Sequence, residues 1–197
     1  FDIYTYAIFF IVGFASYWFM IAETYLATKA IVDRVQKGKR VIKTYFAFEP
    51  ILYKVLGLVG FILVPLSAFL IFRDHNLQDG YTFDITNPVD YKVNFIYIVT
   101  ILLGTWFALE YVEYVRKKTS LLKDVVHQYL SPLVAILVSS IIVAIIMERE
   151  NIPNGLWVYT NLPLQNITLL GLPVALFLGW PLHYLTFLSL FRAFSDK

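Results

Sequence analysis

The chain has 197 residues, of which 59% are hydrophobic and 15% charged, with a formal net charge of +2 at pH 7. Soluble domains carry about 25% charged residues, so this composition belongs in lipid, and so small a net charge argues against nucleic-acid binding. The absence of cysteine excludes disulfides, thiolate catalysis and Cys-ligated zinc or iron–sulfur sites.

Five apolar stretches follow one another, each near the ~20 residues that a helix needs to cross the hydrocarbon core. The first is uncharged over residues 3–22 and continues as a more polar helix to about residue 32. The second, about 50–72, opens after Glu49 with Pro50, a residue suited to a first helical turn. The third covers 93–115, the fourth 124–147 with Pro132 inside it, and the fifth about 166–191. Between the last two, Pro153, Gly155, Asn161 and Pro163 mark 151–165 as a loop lying against the membrane face.

Orientation follows from the connections, because Lys and Arg stay on the cytoplasmic side near helix ends. Arg34, Lys37, Lys39, Arg40 and Lys43 follow the first helix, and Arg116, Lys117, Lys118 and Lys123 follow the third. The opposite connections collect Asp74, Asp79, Asp84, Asp90, Glu148 and Glu150 against Arg73, Lys92 and Arg149. The pattern predicts an all-α, polytopic bundle of five transmembrane helices, N-terminus outside and C-terminus cytoplasmic. It forms one domain over 1–197, surrounded by lipid in the cell membrane. The chain opens at Phe1 and not Met, which reads as a trimmed or processed portion with any targeting signal beyond it.

Ionisable groups inside spans are expensive in hydrocarbon and mark functional positions. On the predicted topology Glu23, Glu110, Glu113, His127 and His183, with Glu49 and Lys54, converge on the cytoplasmic half of the membrane. Glu110 and Glu113 stand three apart on one helix face, where two close carboxyls in low dielectric could share a proton. One of them would then serve as a general acid, with Glu23 as its partner. The alternative is that both sit at the headgroup boundary and pair with Arg116, Lys117 or Lys54, and that Lys29 or Lys54 neutralises Glu23. His127 and His183 could offer axial imidazoles to a haem, or join the two acids around iron, manganese or zinc. The Glu-x-x-His signature of helical carboxylate sites is missing, however, and a hydrogen-bonded packing pair explains two histidines equally well, so no metal ligand is assigned. Asp74-His75 with Asp79 reads as a solvated connection.

Many aromatics, such as Tyr4, Tyr91 and Trp157, fall at an interfacial belt, whereas Trp18, Trp106 and Trp180 are deeper. Trp106 and Trp180, with His127 and His183, could line a cavity beside the acids, where indole faces suit a carbocation; core packing accounts for them as well. Gly171, Pro173, Gly179 and Pro181 break up the fifth helix and allow close helix contact.

The run Gly155-Leu156-Trp157-Val158-Tyr159-Thr160-Asn161-Leu162-Pro163-Leu164, followed by Leu170-Gly171-Leu172-Pro173 and Gly179-Trp180-Pro181, resembles a pattern of small carotenoid-biosynthesis membrane proteins. That grouping holds the bacterioruberin-type hydratases and the heterodimer-type lycopene cyclases. The resemblance covers about 155–181 and implies acid-catalysed chemistry on a polyene without redox change. Where the cyclases have acidic residues after the Leu-Pro-Leu-like turn, this chain has Gln165 and Asn166.

Two readings of function stay open: a membrane enzyme that protonates an isoprenoid or similar lipid, and a non-catalytic subunit of a larger membrane complex. A channel or transporter is disfavoured, since no span carries a polar stripe and inverted repeats need more helices.

Overall fold

The computed structural model describes residues 3–35, 48–76, 95–154, 163–164 and 166–194. These are mostly helical: α1 (Ile3–Val35), α2 (Glu49–Asn76), α3 (Phe95–Val115), the short α4 (Leu121–Val126), α5 (Ser131–Asn154) and α6 (Leu176–Phe194). Between α5 and α6 lie two short strands, β1 (Thr168–Leu169) and β2 (Leu172–Pro173). Three helices contain stretches long and apolar enough to cross a membrane, Glu49–Arg73, Ile96–Val115 and Ser131–Arg149. The chain therefore carries the helices of a membrane protein.

Two of the expected helices take a different form. In place of one helix over 124–147 there are two elements. Ser120 caps α4 by accepting the Lys123 N–H at 3.1 Å, and α4 closes where Gln128 turns left-handed (φ 59°) and the Tyr129 N–H reaches back to the Asp124 carbonyl at 2.7 Å. Pro132 then falls in the first turn of α5, where its missing N–H breaks no helical bond. That helix also runs on past residue 147, through Glu148 to Asn154. The expected fifth helix, 166–191, is shortened at its start by a hairpin. Thr168 pairs with Pro173 and Leu169 with Leu172. Leu170 and Gly171 form the two-residue turn with φ of 55° and 79°, both left-handed as a type I′ turn requires. Most of the expected loop over 151–165, and the connections over 36–47 and 77–94, lie outside the described residues.

Packing runs in the order α2, α3, α6, α5, α1, with a smaller contact between α1 and α6. The core consists of Ile21, Tyr25, Leu121, Ala135, Ile136, Val143, Tyr184 and Leu188, so it lies between α1, α4, α5 and α6. By contrast α2 is peripheral and presents Leu58, Phe61, Ile62, Phe69 and Phe72 outward. Hydrocarbon chains solvate such residues as well as another helix does, so contacts within the bundle depend on close backbone approach and hydrogen bonds. Between α2 and α3 both are present. A Cβ on Gly60 would lie 2.4 Å from the Ala108 nitrogen and 2.6 Å from the Gly104 carbonyl oxygen, and Ser67 and Thr100 share a hydroxyl hydrogen bond of 2.7 Å.

At the end of the bundle where α1, α3 and α6 finish and α2 and α5 begin, a polar clamp ties α1 to α5. Asp33 accepts hydrogen bonds from Lys29 (2.6 Å), from Tyr129 (3.0 Å) and from Ser131, and Lys29 also donates to Tyr129 at 3.0 Å. Lys29 is thereby committed to Asp33, not to Glu23. The hydrogen bonds from Lys29 and then Ser131 hold the Asp33 carboxyl below the usual carboxylate range.

Replacing Gly60 by leucine should unseat α2 from α3 and lower stability by at least ~2 kcal/mol. Gly179→Ala, which meets nothing within 4 Å, should leave it unchanged; thermal unfolding in detergent compares the two. The lowered Asp33 value makes its contribution to stability complete above the unfolded carboxylate pKa, ~4, and lost as pH falls through the folded one. The unfolding midpoint of the protein should therefore exceed that of Asp33→Asn at pH 7, and the gap should close below about pH 4.

Candidate functional site

Glu110 and Glu113 both lie on α3 and both are fully buried. Their surroundings are unequal. Glu110 accepts a hydrogen bond from the Trp106 indole N–H at 2.9 Å, one turn back on the same helix. The backbone N–H of Leu122 reaches both its oxygens at 3.3 Å, and the Ser120 hydroxyl bonds to it as well. Leu122 is in the first turn of α4, where helical N–H groups have no partner of their own and readily meet an acid. Neither oxygen of Glu113 has a hydrogen-bond partner among the described residues.

A cation from the far end of the chain faces this pair. Arg192, in the last turn of α6, acts electrostatically on both Glu110 and Glu113. Its position is held by α1, since Nη2 donates to the Tyr25 hydroxyl at 2.9 Å and the guanidinium lies 5.8 Å from the centre of the Tyr25 ring. Of the cations expected to neutralise the acids, Lys54 is exposed on α2 and Arg116 donates to the carbonyl of Ala193 on α6. Arg192 was missed in the sequence because it falls just beyond the apolar stretch of the last helix. The signal was its place at the end of a predicted span, at the same predicted level as the acids.

The other candidates separate into distinct places. Glu23 is exposed on α1. His127 ends α4 and its Nε2 lies 3.5 Å from Glu49 at the start of α2. His183, on α6, meets the edges of the Tyr17 and Trp18 rings at centroid separations of 5.4 and 6.3 Å. Trp180 packs edge-on against Tyr17 at 5.6 Å. Among the described residues no three His, Asp or Glu side chains come together as a metal would need, so Glu110, Glu113, His127 and His183 do not form one cluster.

A third buried acid was not anticipated. Glu148, expected in an acidic connection, is fully buried on α5 and accepts the Trp180 indole N–H at 3.2 Å. Trp106 and Trp180 thus each serve a different acid, on different helices. Glu148 was missed because the sequence Met147-Glu148-Arg149-Glu150 reads as the polar end of a span, whereas the helix continues and turns Glu148 inward.

Two buried carboxyls on one helix face, one supplied with hydrogen-bond donors and the other with none among the described residues, can hold a single proton between them. In the folded protein, infrared spectra should contain a protonated-carboxyl C=O stretch at neutral pH. Glu113→Gln should remove that band and Glu110→Gln should leave it.

Comparison with known proteins finds no family model that matches the chain, no similar curated protein and no similar solved structure. The functional reading rests on the chemistry of the site itself.

Proposed function

We propose that the protein is a membrane enzyme that carries out acid–base chemistry on an apolar lipid, with an isoprenoid as the substrate class. The observation that carries this reading is the asymmetry of the acid pair: among the described residues Glu110 has three hydrogen-bond donors and Glu113, buried beside it, has none. In this reading Glu113 holds the proton and Glu110 the negative charge, balanced by Arg192. Glu113 gives its proton to one carbon of a C=C bond, a C–H bond forms and the neighbouring carbon becomes cationic. The Trp106 ring lies beside Glu110, where its face can stabilise that charge. Loss of a proton from the cation to a carboxylate of the pair completes an isomerisation without redox change. Addition of water to the cation, followed by transfer of a proton from the added oxygen to a carboxylate of the pair, completes a hydration. The same chemistry is what the likeness of 155–181 to carotenoid hydratases and cyclases implies. Glu23, exposed on α1, takes no part in the step as written, and Trp180 serves Glu148.

The topology that goes with this reading is five spans, α1, α2, α3, α5 and α6, in alternating direction. The N-terminus is outside, the C-terminus is cytoplasmic, and the acid pair lies toward the cytoplasmic half of the cell membrane. A second reading, a non-catalytic subunit of a membrane complex, draws on the exposed apolar face of α2, which a neighbouring chain could cover in place of lipid.

The test is gentle purification from the native membrane, with identification of accompanying chains and extracted lipids, followed by turnover of any isoprenoid found. Glu113→Gln should lower the rate by a factor on the order of 10²–10⁴, as expected for loss of a general acid, with the fold intact. Fixed stoichiometry with other membrane chains and no lipid consumed would instead establish the subunit reading.

A further inference from the structure

Ser120, in the turn from α3 into α4, is fully buried and joins three parts of the chain. Its hydroxyl accepts the backbone N–H of Lys123 at 3.1 Å, bonds to the Tyr53 hydroxyl of α2 at 2.7 Å and bonds to Glu110 of α3. A hydroxyl has one proton and two lone pairs, so all three places are taken and each partner fixes the direction of its bond. A backbone N–H can only donate and a carboxylate can only accept. With Glu110 ionised, Ser120 therefore donates to Glu110 and Tyr53 donates to Ser120, an oriented row of O–H groups that points at the buried acid. With Glu110 protonated the same bonds reverse, Glu110 donating to Ser120 and Ser120 to Tyr53.

The outer end of this row meets a recess. Among the described residues, Tyr53 and Ser120 line it together with Lys117 and Lys123, and its volume of about 320 Å³ has room for several waters. Lys117 and Lys123 are exposed, and a lysine ammonium keeps its head in water whether or not it also has a partner. Water at the recess and the fully buried carboxyls are thus separated by two side chains, each 1% exposed. The other two groups that donate to Glu110, the Trp106 indole N–H and the Leu122 backbone N–H, cannot serve as a route. They donate but have no lone pair with which to take a proton in return, whereas a hydroxyl accepts one proton as it releases another.

We propose that Tyr53 and Ser120 form a proton path between water at the α3–α4 turn and the buried Glu110–Glu113 pair. A hydrated proton in the recess passes to the Tyr53 oxygen as the Tyr53 proton passes to Ser120 and the Ser120 proton to the Glu110 carboxylate. Each O–H bond that breaks is replaced by one that forms, so both hydroxyls end neutral and unchanged, and the reversed bonds carry a proton out by the same route. Neither residue touches a substrate; both act through Glu110. The path stands whether the proton of the pair is used on a lipid or only held.

Exchange of the buried carboxyl proton for deuterium tests this without any substrate. The purified chain in detergent is mixed rapidly into D2O, and the protonated-carboxyl C=O stretch, assigned to the pair by its loss in Glu113→Gln or Glu110→Gln, is followed as it shifts on deuteration. If that band is missing at neutral pH, which counts against the acid–base reading and not against the path, the pH is lowered until it forms. Tyr53→Phe keeps the ring and its stack on Tyr114, with centroids 4.5 Å apart. It should slow exchange by about tenfold or more, because the proton then waits for a local opening of the bundle. Ser120→Ala should slow exchange likewise, and Ser120→Thr, which keeps the hydroxyl and the cap of α4, should restore the parent rate. Ser67→Ala is the control: it breaks a hydroxyl hydrogen bond of the same length, 2.7 Å, between α2 and α3. Loss of a merely structural tie loosens the bundle, so exchange there should stay as it is or quicken. The path is overturned if Tyr53→Phe exchanges as fast as the parent or faster, or if Ser67→Ala slows exchange as much as Tyr53→Phe does.

Discussion

Burying two carboxyl groups three residues apart on one apolar helix is the constraint around which the described structure is organised. A carboxylate taken out of water is tolerated only where donors replace the water it has lost. Glu110 obtains them from four parts of the chain: Trp106 on its own helix, Ser120 in the following turn, the free backbone N–H of Leu122 and the charge of Arg192 from α6. The break in the expected fourth helix is part of the same arrangement. A helix running without interruption from residue 124 would have no first turn at Leu122 and no unpartnered N–H groups to offer there. The separate α4, capped by Ser120, supplies them.

The remaining ties of the bundle follow the same logic. Lipid gives apolar helix faces little reason to prefer one another, so the contacts that set helix positions are polar or unusually close. Asp33 joins α1 to the start of α5, and Thr186 joins α6 to the Leu102 carbonyl of α3 at 3.1 Å. Thr24 and Tyr184 share a hydrogen bond of 3.0 Å between α1 and α6. Gly57, Gly60 and Gly104 let α2 and α3 approach until no Cβ fits between them. Glu148 on α5 and Trp180 on α6 belong to the same set, a buried acid met by an indole N–H. The acid pair differs from all of these ties in one respect, because Glu113 receives no donor from the described residues.

Ser120 connects this interior to the surface of the bundle. Its one hydroxyl links Glu110 to Tyr53, in the first turns of α2. A single polar thread therefore runs from the buried carboxyls of α3 to the first turns of α2.

The sequence by itself determined the helical class and most helix positions, because long apolar stretches bounded by charge can satisfy their backbone in lipid only as helices. It also singled out Glu110 and Glu113, since acids in apolar stretches stand out and a spacing of three puts them on one face. It did not reveal the hairpin at Leu170 and Gly171 or the separate α4. Those depend on turn geometry and on a distant carboxylate in need of N–H groups, neither of which hydropathy registers. Tertiary structure alone decided which acids are alike and which are not. Glu23 and Glu113 read equally as intramembrane acids, yet one is exposed and the other fully buried. Arg192 comes to the acid pair from nearly 80 residues away, and Glu148 is buried where its neighbours in sequence suggested solvent. Each outcome is set by the direction in which a helix face points once its neighbours have packed, and that direction is a property of the whole bundle and not of the local sequence.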